Sequence, residues 1–110
     1  MRILAIERAV RGVQAASFTP ELAASEARRA WELWQAGTIR ELYFRADESS
    51  AVLMLECKDA GAAWKALSSL PLVAAGLIEF EVLPLRAYPG FGRLFADGQP
   101  GSPAASSERG

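Results

Sequence analysis

The chain has 110 residues, 51% hydrophobic and 23% charged, with a formal net charge of −1. These values fit one ordinary globular domain. They provide neither the basic footprint that nucleic acid requires nor the basic patch that anionic membranes attract. Histidine is absent, which removes Ser-His-Asp and Cys-His nucleophile systems, His metal ligands and a His general base.

Met1 to Arg8 is a short apolar segment that turns charged at its end, and it reads as a first strand. Arg11 to Phe18 is a loop by its Gly12 and small residues. Thr19-Pro20-Glu21 then opens a helix: Thr caps, Pro suits the first helical position, and Glu favours the positive end of the dipole. This helix extends to about Ala36, with Ala23, Ala27, Ala30, Trp31 and Trp34 recurring at three- and four-residue spacing as an apolar stripe. Glu26, Arg29 and Leu33 fall on an adjacent flank, and Gly37 is placed to end the helix in a left-handed cap.

Thr38 to Ala46 reads as a second strand, with Arg40, Leu42, Phe44 and Ala46 on one face and Ile39, Glu41, Tyr43 and Arg45 on the other. Asp47 to Ser50 supplies a hairpin loop, and Ala51 to Lys58 reads as the third strand. Asp59 caps a second helix whose buried side is expected to hold Ala60, Ala63, Trp64, Leu67 and Leu70, with Pro71 stopping it. Leu77 to Tyr88 alternates as a fourth strand, and Pro84 points to a sheet edge because it lacks an amide donor. The apolar segment Gly90 to Phe95 is expected to pack on the domain or on a partner subunit. Residues 97–110 are small and polar and are expected to be disordered.

The order β-α-β-β-α-β predicts an α+β, ferredoxin-like fold: a four-stranded antiparallel sheet with two helices on one face, the domain spanning residues 1–96. Choosing the helix-facing set by apolarity leaves Ile39, Glu41, Tyr43, Arg45, Val52, Met54, Glu56, Glu79, Glu81 and Leu83 on the opposite face. That face mixes apolar side chains with charges. It fits two roles, a surface covered by a dimer partner or one wall of a ligand cavity between sheets. Dimerisation would help so small a chain, which buries a modest fraction of its surface alone.

At the second and third strands the pattern becomes specific. Gly37-Thr38, Arg40, Leu42 and the aromatic Tyr43 resemble the G-T-x-R-x-L-aromatic segment of muconolactone Δ-isomerases. Leu70-Pro71-Leu72 matches a Leu-Pro-Leu after that family's second helix, and an acidic-apolar strand leading to Arg86 and Pro89 is similar to its last strand. The resemblance spans Ser25 to Pro89. It implies a dimeric α+β barrel that encloses small organic molecules and moves a double bond in an unsaturated lactone by proton transfer, with no metal or organic cofactor. Glu26 stands where the family also has Glu. Glu41 stands where the family has His, and Tyr43 where it has Trp.

On these grounds Glu41, Glu26 and Tyr43 are the candidate catalytic residues, and Arg40, Arg45 and Met54 the candidate substrate-binding ones. Such chemistry needs a base beside an acidic C–H and a donor or cation where enolate charge develops. Each residue also has a structural reading: Glu41 paired with Arg45, Glu26 with Arg29, Tyr43 at an interface. Trp31, Trp34 and Trp64 read as core residues by spacing, and Cys57 as a buried inert thiol. The expected protein is a cofactor-free isomerase with a small-molecule substrate, forming a homodimer or higher oligomer. Alternatives are a cofactor-free oxygenase or cyclase on the same barrel, or a non-catalytic binding dimer. No apolar run reaches the ~20 residues needed to span a bilayer. Charges at Arg2, Glu7 and Arg8 interrupt any signal-peptide core. The lone Cys57 cannot form an internal disulfide, and a cytoplasmic location is expected.

Overall fold

Strand β1 (Arg2–Ala9) is followed by a single 3-10 turn at Ala15–Ser17 and by helix α1 (Pro20–Gln35). The hairpin β2 (Ile39–Phe44) and β3 (Ala51–Glu56) leads to α2 (Ala60–Ser68), the short α3 (Pro71–Ala74), β4 (Ile78–Pro84) and α4 (Gly92–Ala96). These come from a computed structural model that describes residues 1–96, so the expectation for 97–110 lies outside the described residues. The four strands form an antiparallel sheet in the order β2-β3-β1-β4. The predicted ferredoxin-like βαββαβ order is the one found, with the Pro84 strand at an edge as expected.

Local sequence accounts for the helix ends. The Thr19 hydroxyl accepts the Leu22 N–H at 3.2 Å and Pro20 opens α1. Asp59 accepts the Ala62 N–H at 2.8 Å at the start of α2. Each cap satisfies a donor that the first helical turn leaves over. Gly37 has φ +80°, the left-handed conformation the sequence predicted for it. The second helix closes at Ser68. Pro71 then sits at the first position of α3, so it starts a further turn as well as ending the previous one.

The core lies between the sheet and the helix layer. Ile3 and Ala5 of β1, Leu53 and Leu55 of β3, and Ile78 and Phe80 of β4 meet Leu33, Ala63, Leu67 and Leu70. Two readings from periodicity are corrected here. The inward stripe of α1 is Leu22, Glu26, Ala30 and Leu33, and Trp31 and Trp34 are exposed by 58% and 45%. At 100° per residue, seating Leu33 in the core swings Trp34 and Trp31 outward. Trp64 is likewise exposed, one step round from the fully buried Ala63.

The second correction is register. β2 pairs Ile39 with Leu55, but Glu41 with Met54, so Arg40 is an extra residue in a bulge. The bulge returns Ile39 to the core face, where it is 2% exposed, although simple alternation placed it opposite. Beyond the bulge, Leu42 pairs with Leu53 and Phe44 with Ala51 on the helix side, as expected. Cys57 is half-buried against the core, and desolvation pushes its thiol pKa up. In the Gly90 to Phe95 segment the Tyr88 and Phe91 rings meet edge to face at 5.2 Å, while Phe91, Leu94 and Phe95 stay exposed.

Candidate functional site

A cavity of about 540 Å³ opens between α1 and the helix-facing side of the sheet. Leu42 and Phe44 of β2, Leu53 of β3 and Phe80 of β4 form its sheet wall. Ala23, Ala27 and Ala30 form its helix wall, and Leu72 lies at the base. The small alanines leave this space open. Leu42 and Phe44 are 42% and 66% exposed although they point toward the helix layer, because α1 does not cover the β2 edge.

Two carboxylates enter this apolar space. Glu26 belongs to the inward stripe of α1, and its Oε1 accepts the Leu72 backbone N–H at 2.9 Å. Desolvation pushes its pKa up, the Leu72 hydrogen bond pulls against that, and the nearby Glu7 charge adds to the rise. Glu7 continues the alternation Ile3, Ala5, Glu7 along the core face of β1. Its Oε1 accepts the Ala51 N–H at 2.8 Å. The sequence reading missed Glu7. The signal was present: alternation places a carboxylate two positions after Ala5 on the core side of a central strand.

The remaining sequence candidates lie elsewhere. Glu41 and Tyr43 share the open face of β2, where the Tyr43 hydroxyl donates to Glu41 Oε1 at 2.8 Å. That bond pushes the Tyr43 pKa up. Tyr43 also contributes to the rim of the cavity, and Glu41 does not line it. Arg45 does not pair with Glu41. It makes a two-pronged contact with Asp47, at 2.9 and 2.7 Å, in the hairpin loop. Arg40, in the bulge, donates to the Gly37 carbonyl at 2.7 Å. Met54 is half-buried on the open face, between Glu41 and Leu4. Arg29 turns from Glu26 to Glu32 and to the Ser69 hydroxyl. Of the six candidates, the cavity thus gathers Glu26 and, at its rim, Tyr43. Among the described residues no cluster of His, Cys, Asp and Glu is arranged to hold a metal ion, and no helix is long and apolar enough to cross a membrane.

An antiparallel ferredoxin-like sheet with helices on one face defines a small α+β domain, and here an apolar cavity holding two carboxylates lies between the two layers. Residues 8–90 match the family model of muconolactone delta-isomerase, and the chain belongs to that family. Among solved structures, a crystal structure of muconolactone isomerase is similar with a TM-score of 0.64 and 24% identity, over 81% of this chain and 92% of that one. A 5-chloro-2-hydroxyhydroquinone dehydrochlorinase from Burkholderia phenoliruptrix AC1100, in complex with 2,5-dihydroxybenzoquinone, is similar with a TM-score of 0.59 and 14% identity. That second likeness covers 78% of this chain and 94% of the other. A search of curated proteins finds no match.

Proposed function

We propose that this chain is an enzyme that moves a double bond in an unsaturated, carbonyl-containing small molecule by proton transfer, with Glu26 as the base. The observation that carries the reading is the Glu26 carboxylate, half-buried in an apolar cavity with its pKa raised by desolvation. A carboxylate there is a stronger base than one in water. Membership of the muconolactone delta-isomerase family supports the reaction class.

In the first step Glu26 removes a proton from the carbon beside the carbonyl. The C–H electron pair enters the conjugated system and gives a dienolate, and Glu26 becomes the neutral acid. In the second step the Glu26 carboxyl returns the proton at the far carbon of that system, and the double bond ends one position along. The proton balance closes within the site, and no electron acceptor or donor takes part. Leu72 fixes the Glu26 carboxyl through its N–H, and Tyr43 and Ser49 are the lining residues that carry a hydroxyl for developing oxyanion charge. A homodimer is part of this proposal, the second copy covering the open face of the sheet.

The test uses α-angelica lactone, a neutral β,γ-unsaturated lactone, in deuterated buffer, with deuterium incorporation followed by NMR. Exchange above the uncatalysed rate is expected, and Glu26→Gln should lower it about 100-fold. Glu41→Gln should change it by less than about tenfold, since that residue lies outside the cavity. Full activity in Glu26→Gln sinks the assignment, and a collapse in Glu41→Gln moves the base to the open face. Binding of the lactone with no exchange favours a non-catalytic ligand-binding module.

A further inference from the structure

We propose that the cavity selects neutral ligands and rejects carboxylates, and that Glu7 is the residue that sets this preference. The proposal deepens the reading of the Glu26 cavity and rests on it for the place of binding, but it does not require turnover. It starts from the charges that line the space. Glu7 and Glu26 both do so, and among the described residues no Lys or Arg does. The cations that neighbour these carboxylates in sequence are turned away. Arg8 pairs with Glu81 on the open face of the sheet. Arg29 is held by Glu32 and Ser69.

A carboxylate entering this cavity would lose its hydration against Phe and Leu walls and find no cation to replace it. It would also meet the like charge of Glu7. A neutral carbonyl or hydroxyl compound avoids both costs. Glu7 spends one oxygen on the Ala51 N–H and keeps its other oxygen for a ligand O–H. A second anion would also lie beside Glu26, whose own charge burial and the neighbouring Glu7 already disfavour.

The experiment compares muconolactone, a free acid, with its methyl ester, using the full chain at neutral pH. Affinity is read by calorimetry, and location by amide NMR shifts at Ala51 and Leu72, the two backbone groups the carboxylates hold. The ester is expected to bind at least about tenfold more tightly and to shift both amides. Glu7→Gln keeps an oxygen for Ala51 and should shrink the preference at least about fivefold, mainly by strengthening the acid. Ala27→Lys, at an exposed position on the cavity wall, should strengthen acid binding without touching the core. Equal or tighter binding of the free acid by the unmodified chain overturns the proposal, as does an unchanged ratio in Glu7→Gln. Ester binding without deuterium exchange would defeat the proton-transfer reading and leave this preference standing. Exchange together with a preference for the acid would do the reverse.

Discussion

Glu26 carries a cost at the scale of one residue, and its sign is fixed. Its pKa is raised in the folded chain above the ordinary carboxylate value, so between the two values the folded state holds more proton than the unfolded state. Stability from this group is greatest below the ordinary range and is lost as pH rises through the raised folded value. Glu26→Gln keeps an acceptor for the Leu72 N–H and has nothing to titrate. Its stability relative to wild type should therefore climb as pH rises from below the ordinary carboxylate range through the raised folded value, measured by urea unfolding at a series of pH values. A difference that stays flat with pH would mean that Glu26 is solvated. If Glu26→Gln also loses exchange activity, the same buried charge serves reaction and weakens the fold, the usual relation at a working site. Glu7 shows why such a site is only half legible from sequence. Its alternation with Ile3 and Ala5 was readable, but its contact with Ala51 joins positions 44 apart in the chain, and no local pattern reports that.

At the scale of elements, signals fixed by backbone chemistry were the readable ones. Thr19, Pro20, Gly37 and Asp59 each act within a few residues of themselves, and all four do what their side chains predict. Rotation and register depend on what lies across the core, and there the reading slipped. An alanine-rich helix offers several apolar stripes of similar quality, and the indoles of Trp31 and Trp34 favoured the exposed one. Leu33, at 6% exposure, marks the buried one. Leu33→Ala should thus cost about 2–5 kcal/mol in urea unfolding, while Trp31→Ala should stay within about 0.5 kcal/mol of wild type. Near-equal losses would restore the tryptophan stripe to the core. The Arg40 bulge was hidden for a similar reason: alternation is broken by one residue, and only the pairing of Ile39 with Leu55 reveals it. Gly37→Ala places a Cβ at φ +80° and should cost about 1 kcal/mol by the same measurement, although the position is otherwise roomy.

At the scale of the molecule, the helix layer accounts for one face of the sheet and leaves the other open. Leu4, Ile6, Val52 and Met54 lie half-buried there in adjacent registers, joined by Leu83 at one edge and Tyr43 at the other. Charges border this strip, with Arg8 paired to Glu81 and Arg2 to Glu56. An apolar centre with a charged rim is the composition of an interface, and a chain of this size gains from burying it. The second copy proposed above meets that need, and Val52 is the place to challenge it. Val52 sits between Ile6 and Tyr43 in the ladder, and its side chain points away from the core that its neighbours Leu53 and Ala51 enter. Val52→Lys should therefore leave the fold intact by circular dichroism, since a strand substitution on an open face costs no more than about 1 kcal/mol. It should also place an unpaired charge in the centre of the interface, where it is most expensive. Sedimentation velocity at micromolar concentration should then show wild type as a dimer or larger and the variant as a monomer. A monomeric wild type would remove the second copy from the proposal. It would leave the assignment of Glu26 to be decided by deuterium exchange in Glu26→Gln.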